Sequence, residues 1–219
     1  MALSDVQLVV FDLDGTLIDS SEDLATAVNR TLVGAGARAL DPALVRSLVG
    51  EGARRLIEKA VAAAGAPLHA EELLPSFLEY YREVLLVKTR LYPGVAEALP
   101  ALAPRRLAVL TNKPGDMSRA ILTGLGAAHY FEWIWGAGDV PARKPDPAGL
   151  LRLIEEARVL PAQTAFVGDS AIDVRTARAA GAYAVGVMYG FDPQAFADDA
   201  PDARVAHPQE LPALFRLRA

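Results

Sequence analysis

Two aspartates, Asp12 and Asp14, stand one residue apart where an apolar run, residues 8–11, breaks off. Like charges this close repel, and burial makes each harder to ionise, so a nearby cation is the obvious compensation. Other polar residues sit in matching places. Thr111, Asn112 and Lys113 follow an apolar run at 107–110. Gly168, Asp169 and Ser170 follow another at 165–167, with Asp173 four residues after Asp169, and Lys144-Pro145 lies in a loop between the two. If these runs are neighbouring parallel strands, the carboxylates and lysines converge outside the carboxyl ends of the sheet, where such folds bind ligands. The chemistry this suits is phosphoryl transfer. Hard oxygen donors select Mg²⁺, which takes a few carboxylates and keeps waters and substrate oxygens. Thr111, the Asn112 amide and Lys144 would hold phosphate oxygens and offset charge in the transition state. One carboxylate can attack phosphorus and form an aspartyl-phosphate.

The elements that would position these residues read as alternating strands and helices. Short apolar runs at 8–11, 107–110, 165–167 and 184–187 are too short for helices and are bounded by polar residues or glycine. Residues 133–135 and 204–206 are weaker strand candidates. Between them lie helical patterns at 117–125, 147–159 and 171–180. That rhythm implies an α/β doubly wound, Rossmann-like parallel sheet covered on both faces. Residues 18–88 break it, with no convincing strand and helical patterns at 21–33, 42–49, 53–64 and 71–87. Ser20 and Asp23 have capping-box spacing at the first of these. The expected organisation is a catalytic core of residues 1–17 and 89–219, with an all-helical cap, residues 18–88, inserted after the first strand.

Bulk composition narrows the classes. The chain has 219 residues, 52% of them hydrophobic and 22% charged, enough for a core in a soluble protein. A net charge of −5 without a Lys/Arg run argues against a nucleic-acid partner. The absence of cysteine excludes disulfides, thiolate metal sites and a Cys nucleophile. No apolar stretch is long enough to cross a membrane, and the N-terminal residues do not read as a signal peptide, so a cytoplasmic location is expected. Monomer and homodimer are both compatible with the sequence.

The stretches "DLDGTLIDS", "TNK", "KPDP" and "GDSAIDV", in that order, resemble the four motifs of the haloacid dehalogenase superfamily. The helical insertion resembles its small cap domain. The resemblance implies roles. Asp12 is then the nucleophile, and Asp14 the acid for the leaving oxygen and the base for water, with its carbonyl also on the metal. Asp169 is then a direct Mg²⁺ ligand and Asp173 an indirect one, while Thr111 and Lys144 bind the phosphoryl group. "TNKP", "LYPGV", "VGEGARRLIEKA" and "AGAYAVGVMYGF" are similar to the phosphoglycolate phosphatases of that superfamily. This implies a small phosphorylated metabolite as partner, with 2-phosphoglycolate as substrate.

Competing readings stand beside this one. A β-phosphoglucomutase-like enzyme would use the same Asp12 but return the phosphoryl group to a sugar. A receiver-type signalling module also joins acids, Thr and Lys on a doubly wound sheet, but it has no place for the insertion. In the cap, the turn at Gly50 is a candidate specificity loop, because glycine lets backbone approach a small ligand. Arg54 or Arg55 would pair with a substrate carboxylate, although a solvated helix face is the plainer reading. For Lys113 two positions are open, at the site with the other polar residues or out in solvent, and no catalytic role is assigned to it.

Overall fold

The computed structural model describes residues 3–191 and 196–215. Its core is a six-stranded sheet in the order β5-β4-β1-β6-β7-β8, every neighbouring pair parallel. The strands are β1 (Leu8–Phe11), β4 (Arg106–Pro114), β5 (Trp133–Ala137), β6 (Thr164–Gly168), β7 (Tyr183–Val187) and β8 (Ala203–Val205). Alternation along each strand feeds two cores. Val9 and Phe11 of β1, Leu107 and Val109 of β4 and Val167 of β6 enter one face. Leu8, Val10, Ala108, Leu110 and Phe166 enter the other. Burial on both faces is what a parallel sheet requires.

Helices cover those faces: α5 (Val95–Ala101), α6 (Gly115–Gly124), α7 (Ala148–Ala157), α8 (Ala171–Ala180) and the short α9 (Leu211–Leu214). Gly181, in the left-handed conformation, ends α8. Strand β4 runs further than its apolar residues indicate. It continues through Thr111, Asn112 and Lys113 to Pro114, which pairs with Ala137 after a register shift. The sequence between 192 and 202, with Pro193 and Pro201, suggests a surface loop, and its residues 192–195 lie outside the described residues.

The insertion is helical: α1 (Ser21–Gly34), α2 (Pro42–Ser47), α3 (Ala53–Ala64) and α4 (Ala70–Val84). These helices share their own apolar cluster, with Val28, Leu32, Ile57, Phe77 and Tyr81 fully buried. One expectation fails here. Residues 18–88 do contain a strand, since β2 (Ile18–Asp19) pairs antiparallel with β3 (Arg90–Leu91) where the chain leaves and re-enters the core. A two-residue ribbon is too short to show a period. The capping box also fails. Ser20 makes no side-chain cap; its hydroxyl donates to Asp14 Oδ1. Asp23 turns to the other end of the insertion, accepting from the Lys88 and Thr89 amides and the Thr89 hydroxyl at 2.7–3.0 Å. The buried Asp23 thus clasps α1 to the returning chain.

Candidate active site

Sheet register decides which side chains meet. Phe11 pairs with Val109 on one side and Val167 on the other, so the carboxyl ends of β4, β1 and β6 lie side by side. Asp12 follows β1, its amide donating to Val167 O at 2.9 Å, and Asp169 follows β6. Asp173 sits in the first turn of α8, where it accepts from the Ser170 amide and hydroxyl. It is therefore a helix cap and a site residue at once, because its other oxygen accepts from Lys144 Nζ at 2.6 Å.

Asp12, Asp169 and Asp173 are all buried, with one oxygen from each within 4.8 Å of the others. One ammonium contacts two of the three: Lys144 Nζ lies 2.6 Å from Asp173 and 2.8 Å from Asp12 Oδ1. The approach to Asp12 is an ion pair at a poor angle, so this buried oxygen keeps no well-formed hydrogen bond. Burial, Asp173 and Asp14 push the Asp12 carboxyl up to about 6, against the pull of Lys144. Burial and its two carboxylate neighbours hold Asp169 well above its ordinary range. Burial disfavours the charge of Lys144, but Asp12 and Asp173 outweigh it and hold the ammonium above the usual value. The cluster thus carries more negative charge than its protein cations balance. An orphaned carboxylate oxygen beside two further hard oxygen donors fits a divalent cation.

Glycines make room for these carboxylates. A Cβ on Gly15, which has φ +82°, would stand 2.1 Å from Asp169 Oδ2. A Cβ on Gly190 would lie 2.2 Å from Asp169 Cβ. The glycine that follows the aspartate pair is therefore needed both for its backbone conformation and for the space it leaves.

Asp14 has a different partner. Lys113 Nζ donates to both its oxygens at 2.8 and 2.9 Å, and to Tyr81 Oη of α4 at 2.5 Å. Of the two positions open to Lys113, the structure has the buried one: its side chain is 3% exposed. Burial opposes its charge, but Asp14 and Tyr81 outweigh this and raise its pKa. Burial pushes the Tyr81 hydroxyl up to about 12. Thr111, Asn112, Lys113 and Pro114 all line the cavity between the sheet edge and the helices, where β4 is irregular. Tyr81, one apolar-face residue of a helix, offers no sequence signal.

Two other expectations need correction. Asn112 was assigned to phosphate oxygens, but its amide is committed elsewhere. Its Oδ1 accepts from Lys144 N, and its Nδ2 donates to Lys144 O and Gly50 O. It fixes the Lys144 backbone and docks the turn of the insertion on the sheet edge. Gly50 does reach the cavity, through that backbone contact. Arg54 does not. It is half exposed on α3 and pairs with Glu58 and Glu71. Arg55 pairs with Glu51 and Glu58. Neighbouring carboxylates satisfy both guanidiniums on the outer helix surface.

A Rossmann-like core with a helical insertion behind its first strand, and paired carboxylates at that strand's end, defines a class of hydrolases. The model of the haloacid dehalogenase-like hydrolase family matches residues 9–187, and the chain belongs to that family. A phosphoglycolate phosphatase of Colwellia psychrerythraea is 39% identical over 202 residues, covering 88% of each chain. One from Pseudomonas putida is 42% identical over 195 residues, covering 85% of this chain and 71% of its own. A crystal structure described as a predicted phosphoglycolate phosphatase of Haemophilus somnus superposes with a TM-score of 0.88 at 34% identity, covering 94% and 96% of the two chains. Among the described residues no helix is long and apolar enough to cross a membrane.

Proposed function

We propose that the protein is a Mg²⁺-dependent phosphatase of small phosphate monoesters, with Asp12 as nucleophile and 2-phosphoglycolate as substrate. The observation that carries the reading is the buried Asp12 Oδ1 without a hydrogen bond, at the strand end where the excess negative charge collects. The phosphoglycolate phosphatase relatives support the choice of substrate.

Asp12 attacks phosphorus and becomes an aspartyl-phosphate as the ester oxygen leaves. Asp14, next along on the same rim, gives a proton to that oxygen. It then takes one from the water that hydrolyses the intermediate, one residue serving as acid and then base. Lys144 holds Asp12 in place through their ion pair, and Thr111 lines the cavity into which the ester enters. Asp12, Asp169, Asp173 and the Asp14 carbonyl would hold Mg²⁺, which supplies charge stabilisation at phosphorus when bound. The insertion helices close the cavity with Leu24, Leu56, Phe77 and Leu78, and this apolar wall excludes competing water.

The test is phosphate release from 2-phosphoglycolate, sugar phosphates, pyrophosphate and nucleotides with Mg²⁺, ranked by kcat/KM. A clear lead for 2-phosphoglycolate is expected. A profile led by sugar phosphates would remove the substrate assignment and leave the Asp12 chemistry. No release from any ester would remove both. A binding readout accompanies it: Mg²⁺ at about 100 times its Kd adds about 2.7 kcal/mol of stability. A melting shift of several degrees is therefore expected in the parent chain and a much smaller one in Asp169→Asn.

A further inference from the structure

The expected reader of the substrate's carboxylate, Arg54, faces away from the cavity. What the cavity does present is narrow in kind. Its insertion side is Leu24, Val49, Leu56, Phe77 and Leu78, all apolar, with one hydroxyl, that of Tyr81. Lys113 is the only cation among its lining residues.

Tyr81 is held firmly. Its ring is 1% exposed and stacks on Phe77, with centroids 5.8 Å apart and planes within 6°. Its oxygen accepts the third N–H of Lys113, whose other two go to Asp14. A phenol both accepts and donates. Among the described residues the Tyr81 O–H has no acceptor. A buried donor without a partner carries a desolvation cost that a ligand atom can relieve.

The geometry points to Tyr81 as a specificity residue: its hydroxyl, with the Lys113 ammonium beside it, receives a carboxylate on the leaving group of the ester. This rests on the phosphatase reading above and deepens it, naming the substrate class as small phosphate esters bearing an acid function near the ester oxygen. Lys113 Nζ touches the Asp14 carboxylate on one side and Tyr81 Oη on the other. An ester oxygen placed at Asp14 therefore sets the next two or three atoms of the leaving group beside the Tyr81 hydroxyl. The Tyr81 hydroxyl is the donor left without an acceptor, and the charge of Lys113 beside it favours an anion there. A neutral alkyl group leaves that hydroxyl unpaired, and the apolar wall admits only a short chain. A site built to hydrogen-bond a substrate group discriminates strongly against analogues that lack it.

The experiment compares size-matched esters with and without the acid, 2-phosphoglycolate against ethyl phosphate and phospholactate against isopropyl phosphate, in the parent chain and in Tyr81→Phe. Each enzyme is read as the ratio of kcat/KM for the acid ester over its neutral match. That ratio is a property of the folded molecules alone, so partial loss of folded protein cancels. The parent is expected to favour the acid esters, and Tyr81→Phe to lose about tenfold of that ratio or more, the size of one hydrogen bond to a charged group. An unchanged ratio in Tyr81→Phe, with the parent still favouring acid esters, overturns the assignment of Tyr81 and leaves 2-phosphoglycolate standing. A parent that shows no preference for the acid esters overturns both, while turnover of the neutral esters would keep the Asp12 chemistry.

Discussion

Asp12 and Asp14 are separated by one residue, yet their surroundings differ in kind. Asp14 has an ammonium to itself: Lys113 meets both its oxygens, and Ser20 donates to one of them. Asp12 shares Lys144 with Asp173, and Asp169 has no ammonium in contact. The Asp14 side is a closed ion pair; the Asp12 side is three clustered carboxylates with one ammonium, which contacts two of them. Under the proposed mechanism the difference divides two tasks: the group assigned to proton transfer sits in a balanced setting, and the group assigned to share a site with a metal sits in an unbalanced one. The imbalance is a standing cost in the free protein, and it marks the place a divalent cation would relieve.

The comparison can be broken most sharply at the nucleophile. Asp12→Asn should lower kcat by about 10⁴ or more, as loss of a residue in a covalent mechanism does. Phosphate release measured with contaminating phosphatases excluded checks this, and turnover near that of the parent would remove Asp12 from the role. On the balanced side the expected damage is structural. Lys113→Met leaves Asp14 without its ammonium and should cost about 3 kcal/mol in denaturant unfolding. A loss under 1 kcal/mol would mean that the Asp14 pair contributes little.

The unbalanced side predicts the opposite sign. In chelator, Asp12 has a folded pKa of about 6 against an ordinary 3.8. Between those values the folded state holds a proton that the unfolded state has lost, so this group's contribution to stability falls as pH rises from about 4 to about 6. Asp12→Asn lacks that slope. Relative to the parent, the variant should therefore gain on the order of 1–3 kcal/mol across that window, measured as the difference in unfolding free energy at each pH. A flat difference would show that Lys144 already balances Asp12. The smallest effect belongs outside the site. Arg54→Ala should change stability by less than about 0.5 kcal/mol, as loss of an exposed pair does, and kcat/KM by less than twofold. A tenfold loss of kcat/KM would bring Arg54 back to the substrate.

What could be read from the sequence follows from where the information lies. Asp12, Asp14, Asp169, Lys144 and the strand order that gathers them follow from polar residues at the ends of apolar runs, a local pattern with one geometric outcome. Lys113 was left open because three polar residues after an apolar run look like a loop. The strand in fact continues to Pro114 and carries Thr111 and Lys113 to the cavity. Tyr81 was missed because its significance is wholly tertiary: an ordinary core residue of α4 until the fold lays α4 against β4. Arg54 was over-read, since its type suggested an anion site while its i, i+4 neighbour Glu58 already supplied the anion. Asn112 was placed correctly but given the wrong partner, because a short amide at a strand end serves backbone as readily as ligand.

The ribbon of β2 and β3 has one more consequence. It pairs Ile18 with Leu91 and Asp19 with Arg90, so the two chain ends of the insertion are sheet neighbours about 5 Å apart. Two antiparallel ends at that spacing are what a two-residue hairpin loop joins. Seen from the sheet, residues 20–89 are entered and left at one place, and β4 side chains add two further contacts, Asn112 on Gly50 and Lys113 on Tyr81. The insertion carries its own clasp, Asp23 on Thr89, and exchanging it for another helical unit requires matching two adjacent ends and those contacts rather than a new strand order.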